Sequence, residues 1–312
     1  MPLDPSAEMM LQVLADAGMT FTPDATPEAR RATMTAMATS PLVAKHPVHE
    51  VGDRSIPGPS GEIPVRVYRP SAATDLPLLL WFHGGGWVTG NLDTHDQLAR
   101  LLTDEVGAVV VSVDYRLAPE AKFPSAADDC IAAYEWALDR ATEVGADPTR
   151  VAIGGDSAGG NLAAVVALDA RVRGLSQPKL QLLVYPVTDY EFDSASMIDN
   201  AKGYFLETES MRWFWDHYAR TPSDFADPRL SPMRAGDHAG LASAVVVTAE
   251  FDPLRDQGEA YGARLRDAGV PTTIVRAGGL IHGFFGMHAF MPPGREAWDV
   301  SVRALRDAFG EA

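Results

Sequence analysis

The chain has 312 residues, of which 46% are hydrophobic and 22% are charged, and its formal net charge is -16. This length and composition are those of a globular protein with a substantial core, built as one large α/β domain or two smaller ones. The negative charge and the lack of a basic run exclude nucleic acid as a partner, because phosphate recognition needs clustered lysine and arginine.

The N-terminal region, residues 1–45, is predicted to be helical. Met9, Met10, Val13 and Leu14 recur at helical spacing, and a second helix is predicted over residues 27–39. An apolar face that carries methionine either packs in a core or lines a mobile cover over a ligand. No lysine or arginine precedes Arg30, and the region has no apolar segment of the signal-peptide type.

From Val48 onward the sequence pattern is that of strands. Alternation at residues 63–68 predicts early antiparallel strands, and later apolar runs without alternation predict strands buried on both faces. These runs are residues 76–82, 108–113, 151–153, 180–185, 244–249 and 272–275. Helical patterns lie between them at residues 96–105, 126–140, 158–173 and 256–268, and a last one covers 295–309. Such alternation predicts an α/β fold whose mostly parallel sheet carries functional groups at the carboxyl ends of its strands.

Two further features of the sequence concern the cellular compartment of the protein and its relation to membranes. The single cysteine, Cys130, excludes an intramolecular disulfide and a cysteine-based zinc cluster, and it fits a reducing compartment. The longest apolar run, residues 76–82, is far shorter than the roughly 20 residues that a membrane helix needs. We therefore expect a cytoplasmic protein with no segment inserted in a membrane.

Residues 186–240 interrupt the alternation of strands and helices. No strand is predicted there, and aromatic side chains are concentrated at residues 204–205 and 213–215. We interpret this region as an insertion that folds over the site together with residues 1–45, and residues 46–185 and 241–312 as the catalytic core. The alternative is a peripheral helical segment with a small core of its own.

The segment of residues 151–161 reads as a short buried strand, a tight turn and the start of a helix. Gly155, Ser157 and Gly159 fill the pattern Gly-x-Ser-x-Gly, which describes a nucleophile elbow. The glycines are required there because a side chain at either position would collide with neighbouring backbone. The alternative is a glycine-rich helix start in which Ser157 is an ordinary N-cap residue.

Three other loops, each after a predicted strand, could complete a catalytic site. Three consecutive glycines, Gly84, Gly85 and Gly86, leave backbone N–H groups unshielded and able to donate to an oxyanion. Among the carboxylates Glu250, Asp252 and Asp256, we choose Asp252. Pro253 leaves it on a loop, whereas Asp256 is placed to cap the next helix.

The candidate base is a histidine. Of the eight histidines, only His282 lies in a glycine-flanked loop after the last predicted strand, and His288 is the alternative. Five others are read as structural residues, namely His46, His49, His95, His217 and His238. The order Ser157, Asp252, His282 is that of the α/β hydrolases.

Several motifs together resemble the bacterial hormone-sensitive-lipase-like carboxylesterases, an α/β-hydrolase group. They are the segments 83–87, 114–120, 155–160, 252–256 and 282–284. The resemblance implies an eight-stranded sheet, a helical cap, no cofactor or metal, and hydrolysis of short to medium acyl esters. It places the nucleophile on Ser157, the acid on Asp252 and the base on His282. It also places the oxyanion donors on the triple-glycine loop, with Gly85 and Gly86 favoured, and on Ala158.

These expectations define a serine carboxylesterase with a small-molecule ester as its partner. The apolar pocket is predicted to include the side chains of Trp87, Tyr204, Phe205, Leu206 and Phe214. An acyltransferase or an amidase would use the same triad, and a non-catalytic ligand-binding protein of the same fold is the alternative from another class. The oligomeric state that we consider is a homodimer.

Overall fold

The computed structural model describes residues 1–22, 24–40 and 44–311. In this part of the chain eight strands form one sheet. The strands are β1 (Glu50–Gly58), β2 (Gly61–Arg69), β3 (Leu76–Phe82), β4 (Val109–Val113), β5 (Ala146–Asp156), β6 (Gln181–Val184), β7 (Ala244–Phe251) and β8 (Thr272–Ile281). The helices are α1 (Pro5–Asp16), α2 (Pro27–Ala38), α3 (Asp96–Val106), α4 (Ser125–Arg140), α5 (Ala158–Val172), α6 (Ala195–Asp199), α7 (Thr208–Tyr218), α8 (Arg255–Asp267) and α9 (Arg295–Phe309).

The strand order is β1-β2-β4-β3-β5-β6-β7-β8, and only the pairings β1–β2 and β2–β4 are antiparallel. The continuous apolar runs are explained by burial on both faces of the sheet. In β3, Leu78 and Leu80 pack into one core cluster, whereas Leu79 and Trp81 pack into another. The prediction of a mostly parallel, eight-stranded α/β-hydrolase sheet is confirmed.

The end of β8 differs from the sequence prediction. The predicted strand stops at Val275, but the observed strand continues through Gly278 and Gly279 to Ile281. A register shift in the β7–β8 ladder lets pairing resume at Phe251, and Gly279 adopts a φ of +73°. The glycines before His282 therefore belong to a bulged strand and not to a free loop.

Strand β8 is also an edge of the sheet, and the first residues of the chain lie against it. Asp4 donates its backbone N–H to the carbonyl of Gly279 at 2.9 Å. The amino group of Met1 lies 4.0 Å from Oε1 of Glu250 on β7. These contacts bring the N-terminal residues to the ends of the last two strands.

Residues 186–240, all of which the structure describes, contain α6, α7 and short 3₁₀ turns but no strand. Arg30 of α2 joins this region to the N-terminal one. Its guanidinium carbon lies 4.7 Å from the ring centroid of Phe21 and 5.0 Å from that of Trp213 on α7. Throughout the described residues, no helix is both long enough and apolar enough to cross a membrane.

Candidate active site

Ser157 occupies the turn between β5 and α5. Its backbone has φ +57° and ψ -118°, which is a strained conformation for a residue with a side chain. The N–H of Ser157 donates to the carbonyl of Val184 at 2.8 Å, which ties the turn to the end of β6. The Ser157 side chain makes no capping hydrogen bond to α5, so the alternative of an ordinary N-cap residue fails.

The glycines of the elbow are there for steric reasons. A Cβ atom on Gly159 would lie 1.8 Å from the carbonyl oxygen of Phe82, and one on Gly155 would lie 2.4 Å from the Gly159 backbone. Both contacts are with main-chain atoms, which cannot turn aside as the end of a side chain can. The turn can therefore form only with glycine at these two positions.

Replacing Gly159 with alanine is expected to lower the free energy of unfolding by at least about 3 kcal/mol, because the new methyl group overlaps backbone of β3. Urea denaturation followed by fluorescence measures the change. Gly236→Ala is the matched control, since a Cβ there meets nothing within 4 Å, and it should stay within about 0.5 kcal/mol of the parent. Equal stability of the two variants would contradict the steric argument.

Asp252 and His282 follow the neighbouring strands β7 and β8 and contact each other. The distance from Nδ1 of His282 to Oδ2 of Asp252 is 2.7 Å, and Asp252 is fully buried. The other oxygen of Asp252 accepts the N–H of Leu254 at 2.8 Å, which fixes the carboxylate. Because the carboxylate accepts a hydrogen bond from Nδ1–H, Nε2 of His282 is left as the proton acceptor.

The surroundings of His282 place it beside the elbow. Its ring centroid lies 4.4 Å from that of Tyr185, which directly follows β6. Tyr185 in turn follows Val184, whose carbonyl accepts the N–H of Ser157. The structure therefore brings the elbow, the acid and the base to one end of the sheet, at the carboxyl ends of its parallel strands.

The residues that compete with Asp252 and His282 in the sequence have other partners. Glu250 lies 4.0 Å from Arg276, and Asp256 is hydrogen-bonded to Arg255 and to the N–H of Ser196. His288 lies 3.9 Å from Glu105 and packs on Trp298, at 5.0 Å between ring centroids. None of these side chains meets the Asp252–His282 pair in the described contacts.

The triple-glycine loop lies beside the elbow, and its N–H groups are not equivalent. The N–H of Gly84 donates to Oδ1 of Asp156 at 3.1 Å, so it is already committed. Within the described residues, the N–H groups of Gly85, Gly86 and Ala158 donate to no protein acceptor. These three remain available to an oxygen atom placed next to Ser157.

A family model described as the alpha/beta hydrolase fold matches residues 79–286, which include Ser157, Asp252 and His282. The chain is a hormone-sensitive-lipase-like α/β hydrolase. It is 46% identical over 295 residues to the carboxylic ester hydrolase LipN of Mycobacterium tuberculosis, covering 91% of this chain and 77% of that one. It is 42% identical to an arylesterase of Saccharolobus solfataricus, covering 92% and 93% of the two chains.

Solved structures agree with the sequence comparisons. A hyperthermophilic esterase from Pyrobaculum calidifontis superposes on this hydrolase with a TM-score of 0.92 at 42% identity. The superposition covers 99% of this chain and all of the other. The likeness thus includes the N-terminal helices and the insertion as well as the sheet.

Three of the predicted pocket residues lie at the catalytic loops of the hydrolase. The ring of Phe214 packs on Gly86, where its atoms would lie 2.2 Å from an added Cβ. The ring of Phe205 packs in the same way against Gly283, which follows His282. Tyr204 contacts Phe251 on β7, with ring centroids 4.9 Å apart.

The other two predicted pocket residues lie in the core cluster beside the site, and their place in the pocket stays a prediction. Trp87 is fully buried and stacks on Tyr218 at 4.6 Å between ring centroids, so its indole is part of the packing beneath the loop. Leu206 is buried in the same core cluster.

Two residues near the site were not singled out by sequence as functional. Tyr185 packs on His282, and His95, read from the sequence as structural, lies 3.2 Å from the carboxylate of Asp156. Neither belongs to a spacing pattern, because each reaches the site through the packing of separate loops. Among the described residues, no group of three His, Cys, Asp or Glu side chains is arranged to hold a metal ion.

Proposed function

We propose that this hydrolase is a carboxylesterase that cleaves short- to medium-chain acyl esters through a covalent intermediate on Ser157. The observation that carries the proposal is the Asp252–His282 pair beside the strained Ser157 turn. Relatives described as a carboxylic ester hydrolase and an arylesterase support the same reaction class.

In the first half-reaction, Oγ of Ser157 attacks the ester carbonyl while Nε2 of His282 takes the hydroxyl proton. Asp252 holds the imidazole through Nδ1 and stabilises the positive charge that forms on it. The N–H groups of Gly85, Gly86 and Ala158 donate to the oxyanion of the tetrahedral intermediate. His282 then returns its proton to the alkoxide, and the alcohol leaves the acyl-enzyme.

In the second half-reaction, water replaces the alcohol. Nε2 of His282 takes a proton from the water as its oxygen attacks the acyl carbon, and a second oxyanion forms in the same place. When that intermediate collapses, the bond to Oγ of Ser157 breaks and the proton returns to Ser157. The free carboxylic acid leaves, and the resting state is restored.

Residues 1–45 and 186–240 act as a cap over a core formed by residues 46–185 and 241–312. Support comes from Phe214 against Gly86, Phe205 against Gly283, and the position of Arg30 between the two cap segments. A small-molecule ester reaches Ser157 beneath these aromatic side chains. A homodimer and a cytoplasmic location stay predictions.

The size of the space beside the oxyanion loop is expected to set the preference for acyl length. Phe214→Ala removes the ring that covers Gly86 and should raise kcat/KM for dodecanoate relative to butyrate by about tenfold. Initial rates on p-nitrophenyl esters of two to sixteen carbons measure this ratio. Phe192→Ala is the matched control, because Phe192 is a cap aromatic whose ring contacts are with Tyr190 and Arg212.

The same ester series tests the proposed reaction. The parent protein should hydrolyse butyrate and hexanoate faster than hexadecanoate. Preference for the longest esters would contradict the proposed acyl range, and failure to cleave any ester of the series would contradict the esterase itself.

A further inference from the structure

Asp156 is a buried carboxylate next to the nucleophile that the proposed triad does not use. It is 8% exposed and ends β5, one residue before Ser157. Its side chain does not turn toward the acid and base, but toward the loops that follow β3. The buried carboxylate of Asp156 therefore lies beside the site where the proposed reaction develops a second negative charge, that of the oxyanion.

The first partner of Asp156 is the backbone of the oxyanion loop. Oδ1 accepts the N–H of Gly84 at 3.1 Å. A Cβ atom on Gly84 would lie only 2.3 Å from Oδ2, so the loop backbone lies directly on the carboxylate. Gly84 immediately precedes Gly85 and Gly86, and its position therefore determines where their N–H groups point.

The second partner is His95, the residue before α3. Its Nε2 lies 3.2 Å from Oδ1 and 3.3 Å from Oδ2 of Asp156, and its Nδ1 lies 2.9 Å from the hydroxyl of Thr94. The N–H of Gly84 is 3.2 Å from the same Nε2. The carboxylate, the imidazole and the loop amide thus meet at one point.

The pKa of the Asp156 carboxyl agrees with these contacts. Burial opposes ionisation of Asp156, but His95, and after it His83 and His282, more than offset this, so the pKa of the carboxyl lies below its usual value. Among the described residues, the ion-pair partner of Asp156 is His95 alone.

We propose that Asp156 and His95 are a pair of positioning residues. They hold the triple-glycine loop, residues 84–86, at a fixed position relative to the nucleophile Ser157. Because one turn carries both Ser157 and Asp156, the bond to Gly84 fixes the donors relative to the attacking oxygen. His95 orients the carboxylate, because its imidazole Nε2 contacts both carboxylate oxygens. This inference rests on the proposed function of Ser157.

The expected results concern turnover more than substrate affinity. Asp156→Ala and His95→Phe should each lower kcat for p-nitrophenyl butyrate by about 10²-fold and leave KM within about threefold, because the donors act mainly in the transition state. His95→Gln keeps an N–H donor near the carboxylate and should recover about tenfold of the loss. If Asp156→Ala does not fold, the two His95 variants carry the test.

An inhibitor that forms a tetrahedral adduct separates positioning from general damage. The inhibition constant of an alkyl trifluoromethyl ketone should rise by the same factor by which kcat/KM falls, whereas inhibition by butyrate should not change. Asp224→Ala is the matched control, because Asp224 is also 8% exposed and accepts the backbone N–H groups of Arg220 and Thr221. It should lose stability toward urea but keep kcat.

Two results would overturn the positioning role: kcat within threefold of the parent in folded His95→Phe, or a lower kcat with unchanged affinity for the ketone. Either is distinct from failure of the proposed function, in which the parent protein itself would neither cleave the ester nor bind the ketone.

Discussion

Ser157→Ala is expected to lower kcat for p-nitrophenyl butyrate by roughly 10⁴- to 10⁶-fold, equivalent to about 5–8 kcal/mol of transition-state stabilisation. The variant keeps the backbone N–H of residue 157 and its bond to Val184, so the turn should form as before. What is lost is the hydroxyl group that His282 deprotonates in the proposed reaction. Residual activity would come from the oxyanion donors alone.

Labelling with an organophosphonate gives a second measurement. The parent should take up one phosphonate per chain on the peptide that contains Ser157, and Ser157→Ala should take up none. Ser112→Ala is the control, since that serine is fully buried in β4 and its hydroxyl has no hydrogen-bond partner. A kcat for Ser157→Ala within tenfold of the parent value would contradict the assignment of Ser157 as the nucleophile.

Asp252→Asn is expected to lower kcat by about 10⁴-fold with little change in fold. The amide oxygen would keep the bond to the N–H of Leu254, which turns the amide nitrogen toward His282. A donor at that position requires an unprotonated Nδ1 and therefore moves the imidazole proton to Nε2. His282 then has no lone pair to accept the proton of Ser157.

The two competing carboxylates serve as controls for Asp252. Glu250→Gln and Asp256→Asn remove charges that pair with Arg276 and Arg255, and each should keep kcat within about threefold. Steady-state kinetics together with urea denaturation separates lost chemistry from lost stability. If either control variant lost most of its kcat while Asp252→Asn stayed active, the residue changed in that control would be assigned as the acid in place of Asp252.

The catalytic loops could be predicted from sequence because local chemistry marks them. An uninterrupted apolar run bounds β3, which is observed at the predicted Leu76–Phe82, and the glycines that follow it identify an exposed backbone. Gly155 and Gly159 likewise identify the tight turn in the sequence, because the turn excludes every other residue type at these positions. In each of these places one segment specifies its own conformation.

Features that depend on contacts between distant segments could not be predicted in this way. Gly278 and Gly279 suggested a loop, yet pairing with β7 holds them in a bulged strand. Trp87 stacks on Tyr218, which belongs to a separate segment of the chain. His95 lies 61 positions from Asp156 in the sequence, and only the fold brings the two together.

The edge position of β8 has a consequence for motion near the base. A strand with one neighbour opens more readily than an interior strand, and His282 directly follows this one. The first residues of the chain counter that tendency, since Asp4 bonds Gly279 and Met1 approaches Glu250. We therefore expect amide hydrogens around His282 to exchange with solvent faster when the first residues of the chain are removed.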